Sequence, residues 1–133
     1  MMAAIKAAPS YGVFSAASLS TYSEDPAADA TWKEAIAPLS HIPKGSERSV
    51  PMFLTRGTQD RLISNGSVTE FVDALVKAGQ RVEYVQVSGA NHAFFDWKPD
   101  PATKATFASY GVYYAAAMKE FFESVLIKTP DEN

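Results

Sequence analysis

The 133-residue chain has no cysteine, which removes disulfide staples, thiolate metal centres and a cysteine nucleophile together. Histidine is nearly as scarce: His41 and His92 are the two in the chain, and they stand too far apart for zinc-type ligand spacing. No metal or other cofactor is expected. A dominant charge is missing as well, because the formal net charge of -3 is spread along the whole length. Without a basic stripe to follow a phosphate backbone, nucleic acid is not an expected partner. Apolar runs fall far below the ~20 residues that span a bilayer. The opening "MMAAIKAAPSYG" lacks the basic lead and long apolar centre of an export signal. The expectation is a soluble, cytoplasmic protein with no membrane span.

What is present is apolar material, 47% of the residues. That is enough for a single domain over residues 1–133 that buries roughly 65 to 70% of its unfolded surface. "AAIKAAPSYG" suits a short buried strand, at about residues 5 to 11, running into a turn at Pro9 and Gly12. "DATWKEAIA" predicts a helix capped by Asp29 and ended by Pro38, and "PLSHIPKGSERS" reads as a loop. "VPMFLTRG" is a compact apolar run, expected to be a central strand covered on both faces. In "SVTEFVDALVKAGQ", Val68, Phe71, Val72, Leu75 and Val76 recur at helical spacing. Ser67 with Glu70 predicts a capping box there, and Gly79 a stop. "RVEYVQV" is β-rich and follows at once, so strand, helix and strand form a right-handed crossover with parallel strands. A Pro-punctuated approach then leads to "VYYAAAMKEFFESVL", where Tyr114, Ala117, Met118, Phe121 and Val125 share one side. The class is α/β.

Parallel strands point one way, so the loops after "MFLTR" and "EYVQV" open on the same carboxyl edge, where doubly wound proteins place their ligands. "GTQD" puts Asp60 there, and "SGANH" puts His92 beside it. An aspartate just past a strand is commonly an Asx-turn residue, and a loop histidine is commonly structural. Together they admit a further chemistry. A carboxylate facing one ring nitrogen fixes the imidazole tautomer and stabilises the imidazolium, leaving the other nitrogen to act as general base. His41 reads as a packing or capping residue. Phe94, Phe95 and Trp97 either wall a pocket or pack on the last helix, and Asp96 and Asp100 read as solvated loop carboxylates.

In this order and spacing, "PMFLTRGTQDRLI", "ALVKAG", "VEYVQVSGANHAFF" and a closing aromatic helix resemble the carboxyl-terminal part of an α/β-hydrolase. The nearest group is that of esterases, acetyl-esterases and dienelactone-hydrolase-like enzymes. The resemblance covers about residues 50 to 127, and "AAIKAAPSYG" continues it as the strand after the nucleophile helix. It implies a partial α/β-hydrolase fold of about three parallel strands with flanking helices, lacking the amino-terminal half of the sheet. It further implies Asp60 as triad acid and His92 as triad base of a serine carboxylic-ester hydrolase acting on a small ester, in the chain order of that family.

The third member is absent from the sequence. Such an enzyme needs a G-x-S-x-G elbow, with the serine on a sharp strand-to-helix turn. "GSERS" lacks the flanking glycines, "NGSVT" opens a helix, and the serines of "FSAASLS" come after the strand that should itself follow the nucleophile. The isolated chain is therefore expected to be inactive. The strand at about residues 5 to 11 would have a bare edge, so self-association, as a two-fold dimer across that edge, or pairing with a separate amino-terminal half is expected. Two alternatives remain at this point: a non-catalytic binding or assembly module derived from the same fold, and an unrelated small doubly wound binding domain that uses Asp60 at a strand end.

Overall fold

The computed structural model describes residues 14, 15, 19 and 21–127. Helix α1 (Pro26–Ile36) and a 3-10 turn (Pro38–His41) lead to strand β1 (Met52–Gly57), helix α2 (Asn65–Lys77) and strand β2 (Val82–Val87). A short helix α3 (Pro101–Thr106) passes through a π-helical turn (Phe107–Gly111) into the long helix α4 (Val112–Leu126). β1 and β2 pair in parallel, with Met52 opposite Val82 and Gly57 opposite Val87. The third strand, expected at about residues 5 to 11, lies outside the described residues, and the described sheet has two strands. This is a partial α/β fold.

Alternation along the strands assigns the two faces of the sheet. Phe53 packs its ring against Tyr114 and Phe121 of α4. Val85 and Val87 join Ala90, Phe94, Tyr110 and Tyr114 in a core on the same side. Leu54, Arg56 and Tyr84 belong to the opposite face, where Tyr84 Oη donates to Asn65 Oδ1 at the start of α2. The buried side of α2 is Val68, Phe71 and Leu75, with Phe71 stacked on Phe14 at 4.4 Å between ring centroids. Val76, expected on that side, is 60% exposed, because it lies at the margin of the apolar stripe. β1 is half-buried along most of its length rather than fully covered.

Local chemistry moved two helix starts and added a third. Asp29 does not cap α1; Asp25 does, accepting from Ala27 N–H. Asp29 lies inside the helix, nearly buried, where it accepts from the amides of Tyr22 and Ser23 and pairs with Lys33 at 2.7 Å. Ser64, not Ser67, caps α2, and Ser67 supplies the amide that Ser64 accepts. A cap takes the position where the chain is still extended, and Ser64 has φ -72° and ψ 147°. Asp100 caps α3 through Thr103 N–H, so the stretch read as an approach is itself helical. Gly79 stops α2 as expected, with φ 76° and its amide on the Val76 carbonyl. His41 closes α1 by donating from Nε2 to the Glu34 carbonyl at 3.1 Å.

Candidate active site

Both strands end on one edge, and the loops that follow them are bonded to each other. Thr58 N–H donates to the Val87 carbonyl at 3.0 Å and Gln59 N–H to the Ala90 carbonyl at 2.9 Å. Gly89 N–H donates to Thr58 Oγ1 at 2.9 Å. This close approach explains Gly57, because a Cβ there would stand 2.2 Å from the Ala90 carbonyl oxygen. "GTQD" needs its glycine so that the second loop can cross the end of β1.

The crossing brings Asp60 and His92, 32 positions apart, to 2.9 Å between Oδ2 and Nδ1. The unrelated binding domain expected them more than about 6 Å apart, beyond effective pairing. The other carboxylate oxygen of Asp60, Oδ1, accepts from Leu62 N–H at 2.8 Å and Ile63 N–H at 3.0 Å, which is an Asx-turn. The turn reading and the pairing reading both hold, one for each oxygen. Burial works to raise the Asp60 pKa, but the Ile63 amide, the His92 hydrogen bond and the Leu62 amide together hold it below the usual carboxylate value. Asp60 is thus a carboxylate at neutral pH. With an anionic acceptor at Oδ2, Nδ1 of His92 is the protonated nitrogen.

The imidazole is on the open side of the pair: its side chain is 47% exposed, against 6% for Asp60. Nε2 makes no hydrogen bond among the described residues. Beside it lies a cleft of about 210 Å³ lined by Thr55, Ile63, Val68, Phe94 and Phe95 together with Asp60 and His92. No serine lines that cleft among the described residues. The turn that carries the histidine is tightly wound, since Gly89 (φ 77°) and Ala93 (φ 57°) are both left-handed. A left-handed alanine costs about 1–2 kcal/mol, and here it turns the chain just after His92.

The aromatic residues of "HAFFDW" fill both roles that the sequence allowed. Phe94 is buried edge-on against Tyr114, while Phe95 lies 5.4 Å from the same ring and also lines the cleft. Trp97 packs on Phe107 but stays 63% exposed. Asp96 reaches Lys98 only at 3.8 Å. Sequence reasoning missed Arg56, which lines the cleft and donates to the carbonyls of Asp60 and Ile63. Its signal was a charged residue inside an apolar strand.

The profile of the dienelactone hydrolase family matches residues 7–126, most of the chain. The chain belongs to the dienelactone hydrolase family. Among solved structures, the native esterase 2 of the Planctomycete Thermogutta terrifontis aligns with a TM-score of 0.58 at 21% identity, covering 92% of this chain and 42% of that one. This likeness shows the α/β-hydrolase fold. The butyrate-bound form of that esterase aligns at 0.53 and 26% identity, covering 74% and 32%. In sequence, the chain is 34% identical over 94 residues to the non-reducing polyketide synthase ascC of Acremonium egyptiacum, covering 71% of this chain and 4% of the synthase. This member of the family thus spans less than half the length of the solved esterases and a small part of the synthase. Among the described residues, no helix is long and apolar enough to cross a membrane.

Proposed function

We propose that this chain is the acid- and base-bearing, carboxyl-terminal part of an esterase-like serine hydrolase, acting within it as one domain. Asp60 serves as the triad acid and His92 as the base. The observation that carries the reading is the 2.9 Å contact of Asp60 Oδ2 with His92 Nδ1, made in the lining of a cleft by an acid whose other oxygen is already held by two amides.

In the complete enzyme the serine hydroxyl comes from polypeptide outside these 133 residues. His92 Nε2 takes its proton as the oxygen attacks the ester carbonyl, and Asp60 stabilises the imidazolium that forms. The tetrahedral intermediate collapses as Nε2 returns the proton to the departing alcohol, leaving an acyl-enzyme that water hydrolyses by the same exchange. The substrate class is a small carboxylic ester, in line with the butyrate-bound esterase to which the chain is similar. No cofactor is required by this scheme.

The 133-residue polypeptide alone does not turn over esters, because an imidazole without a serine to activate loses about a million-fold in a comparable triad. It associates with itself or with the serine-bearing segment. Hydrolysis of short p-nitrophenyl esters tests the reading: the chain alone stays at background. Turnover by the chain alone that disappears in His92→Ala would show that a nucleophile lies within these residues.

A further inference from the structure

Arg56 takes no part in the pairing of Asp60 with His92, yet its side chain is built into the acid turn. Its Nε donates to the Ile63 carbonyl at 2.7 Å and its Nη2 to the Asp60 carbonyl at 2.7 Å. These acceptors stand at the two ends of the segment whose inner amides, Leu62 N–H and Ile63 N–H, hold Asp60 Oδ1. One guanidinium therefore fixes the first and last carbonyls of the turn that grips the carboxylate. A planar fork of N–H donors suits two carbonyls at a set separation, whereas an ammonium acts as a single point charge.

The setting makes the arrangement hard to treat as incidental. A half-buried strand position is costly for a charged side chain unless its donors are satisfied. Arg56 belongs to the sheet face that Leu54 and Tyr84 share, and Tyr84 is tied to Asn65 at the start of α2. The guanidinium thus joins the end of β1 to the residues that lead directly into α2.

We infer that Arg56 is a positioning residue for the acid of the pair: its two hydrogen bonds hold the 60–63 turn so that the Asp60 carboxylate faces His92 Nδ1. The inference rests on the assignment of Asp60 and His92 as acid and base, and deepens it by naming what aims the acid.

The test is nuclear magnetic resonance on the 133-residue chain with ¹⁵N-labelled imidazoles, under conditions where the rings carry one proton. The wild type shows His92 as the Nδ1–H tautomer, with that proton and the Leu62 and Ile63 amides protected from solvent exchange. Asp60→Asn abolishes the protected Nδ1 proton; if it does not, the acid–base assignment fails. Arg56→Gln leaves Asp60 in place, yet loses the protected Nδ1 proton and lowers the protection of both amides by roughly tenfold or more. Arg56→Lys keeps the charge and reaches one carbonyl, so it gives an intermediate loss, and it carries the comparison if the glutamine variant does not fold. If Asp60→Asn behaves as stated while Arg56→Gln matches the wild type, the inference about Arg56 is wrong. A lysine variant identical to wild type would assign the effect to charge and overturn the forked positioning.

Discussion

At the scale of single residues, the two oxygens of Asp60 have separate partners, two amides for one and the His92 imidazole for the other. Its folded pKa is depressed despite burial. Such a group contributes stability that is fully present above the unfolded aspartate value, about 3.9, and that is lost as pH falls through the folded value. Urea titrations across the acid range are expected to show wild type more stable than Asp60→Asn at neutral pH, with the gap closing below about pH 4. A gap that is constant with pH would mean that the charge of Asp60 contributes nothing to folding. The meeting of Asp60 and His92 was legible in the sequence because each follows a strand by a few residues, and parallel topology forces both loops onto one edge. Arg56 was not, since an apolar run read by its majority hides the one charged member. Whether that member is buried and bonded depends on a turn formed later in the chain.

At the scale of elements, the site stands on two loops that are joined to each other by hydrogen bonds, two of them between backbone groups. Gly57→Ala drives a methyl into the Ala90 carbonyl, which is backbone and cannot swing aside as a side chain would, so the loops must part. A loss of about 1–3 kcal/mol is expected from such overpacking, together with loss of the protected Nδ1 proton of His92. Unchanged denaturation midpoints would refute the close crossing. The base of α2 is tested separately. Leu75 is fully buried, so Leu75→Ala should cost about 2–5 kcal/mol, whereas Ser64→Ala removes one cap at about 1 kcal/mol and Ser67→Ala costs less. Equal losses at the two serines would contradict the observed start of the helix. The existence and order of strand, helix and strand were readable from a compact apolar run, a helical periodicity and a β-rich run in succession. The caps were not, because Ser64 and Ser67, or Asp25 and Asp29, are chemically equivalent. Backbone geometry decides which one meets a free amide.

At the scale of the whole molecule, the described sheet is small for the apolar surface around it. Val112, Tyr113, Phe122, Leu126 and Ile127, all in or next to α4, remain largely exposed, as do Tyr22 and Trp97. Surface of this kind favours association, and light scattering at micromolar concentration should find species larger than one chain; a clean monomer would count against the proposed assembly. The fold class was legible because two parallel strands with helices on both faces follow from pattern. The number of strands is a different matter: the one expected at about residues 5 to 11 lies outside the described residues. The cleft raises the same issue of scale, since Phe94, Phe95 and Ile63 are among its lining residues, and the proposed reaction takes its hydroxyl from elsewhere.

The most direct measurement is therefore hydrolysis of a short p-nitrophenyl ester by this chain combined with a serine-bearing amino-terminal segment of the fold. Turnover should appear only in the combination, fall about 10⁴-fold in Asp60→Asn and about 10⁶-fold in His92→Ala. Turnover that survives both substitutions would contradict the assignment of these two residues as acid and base.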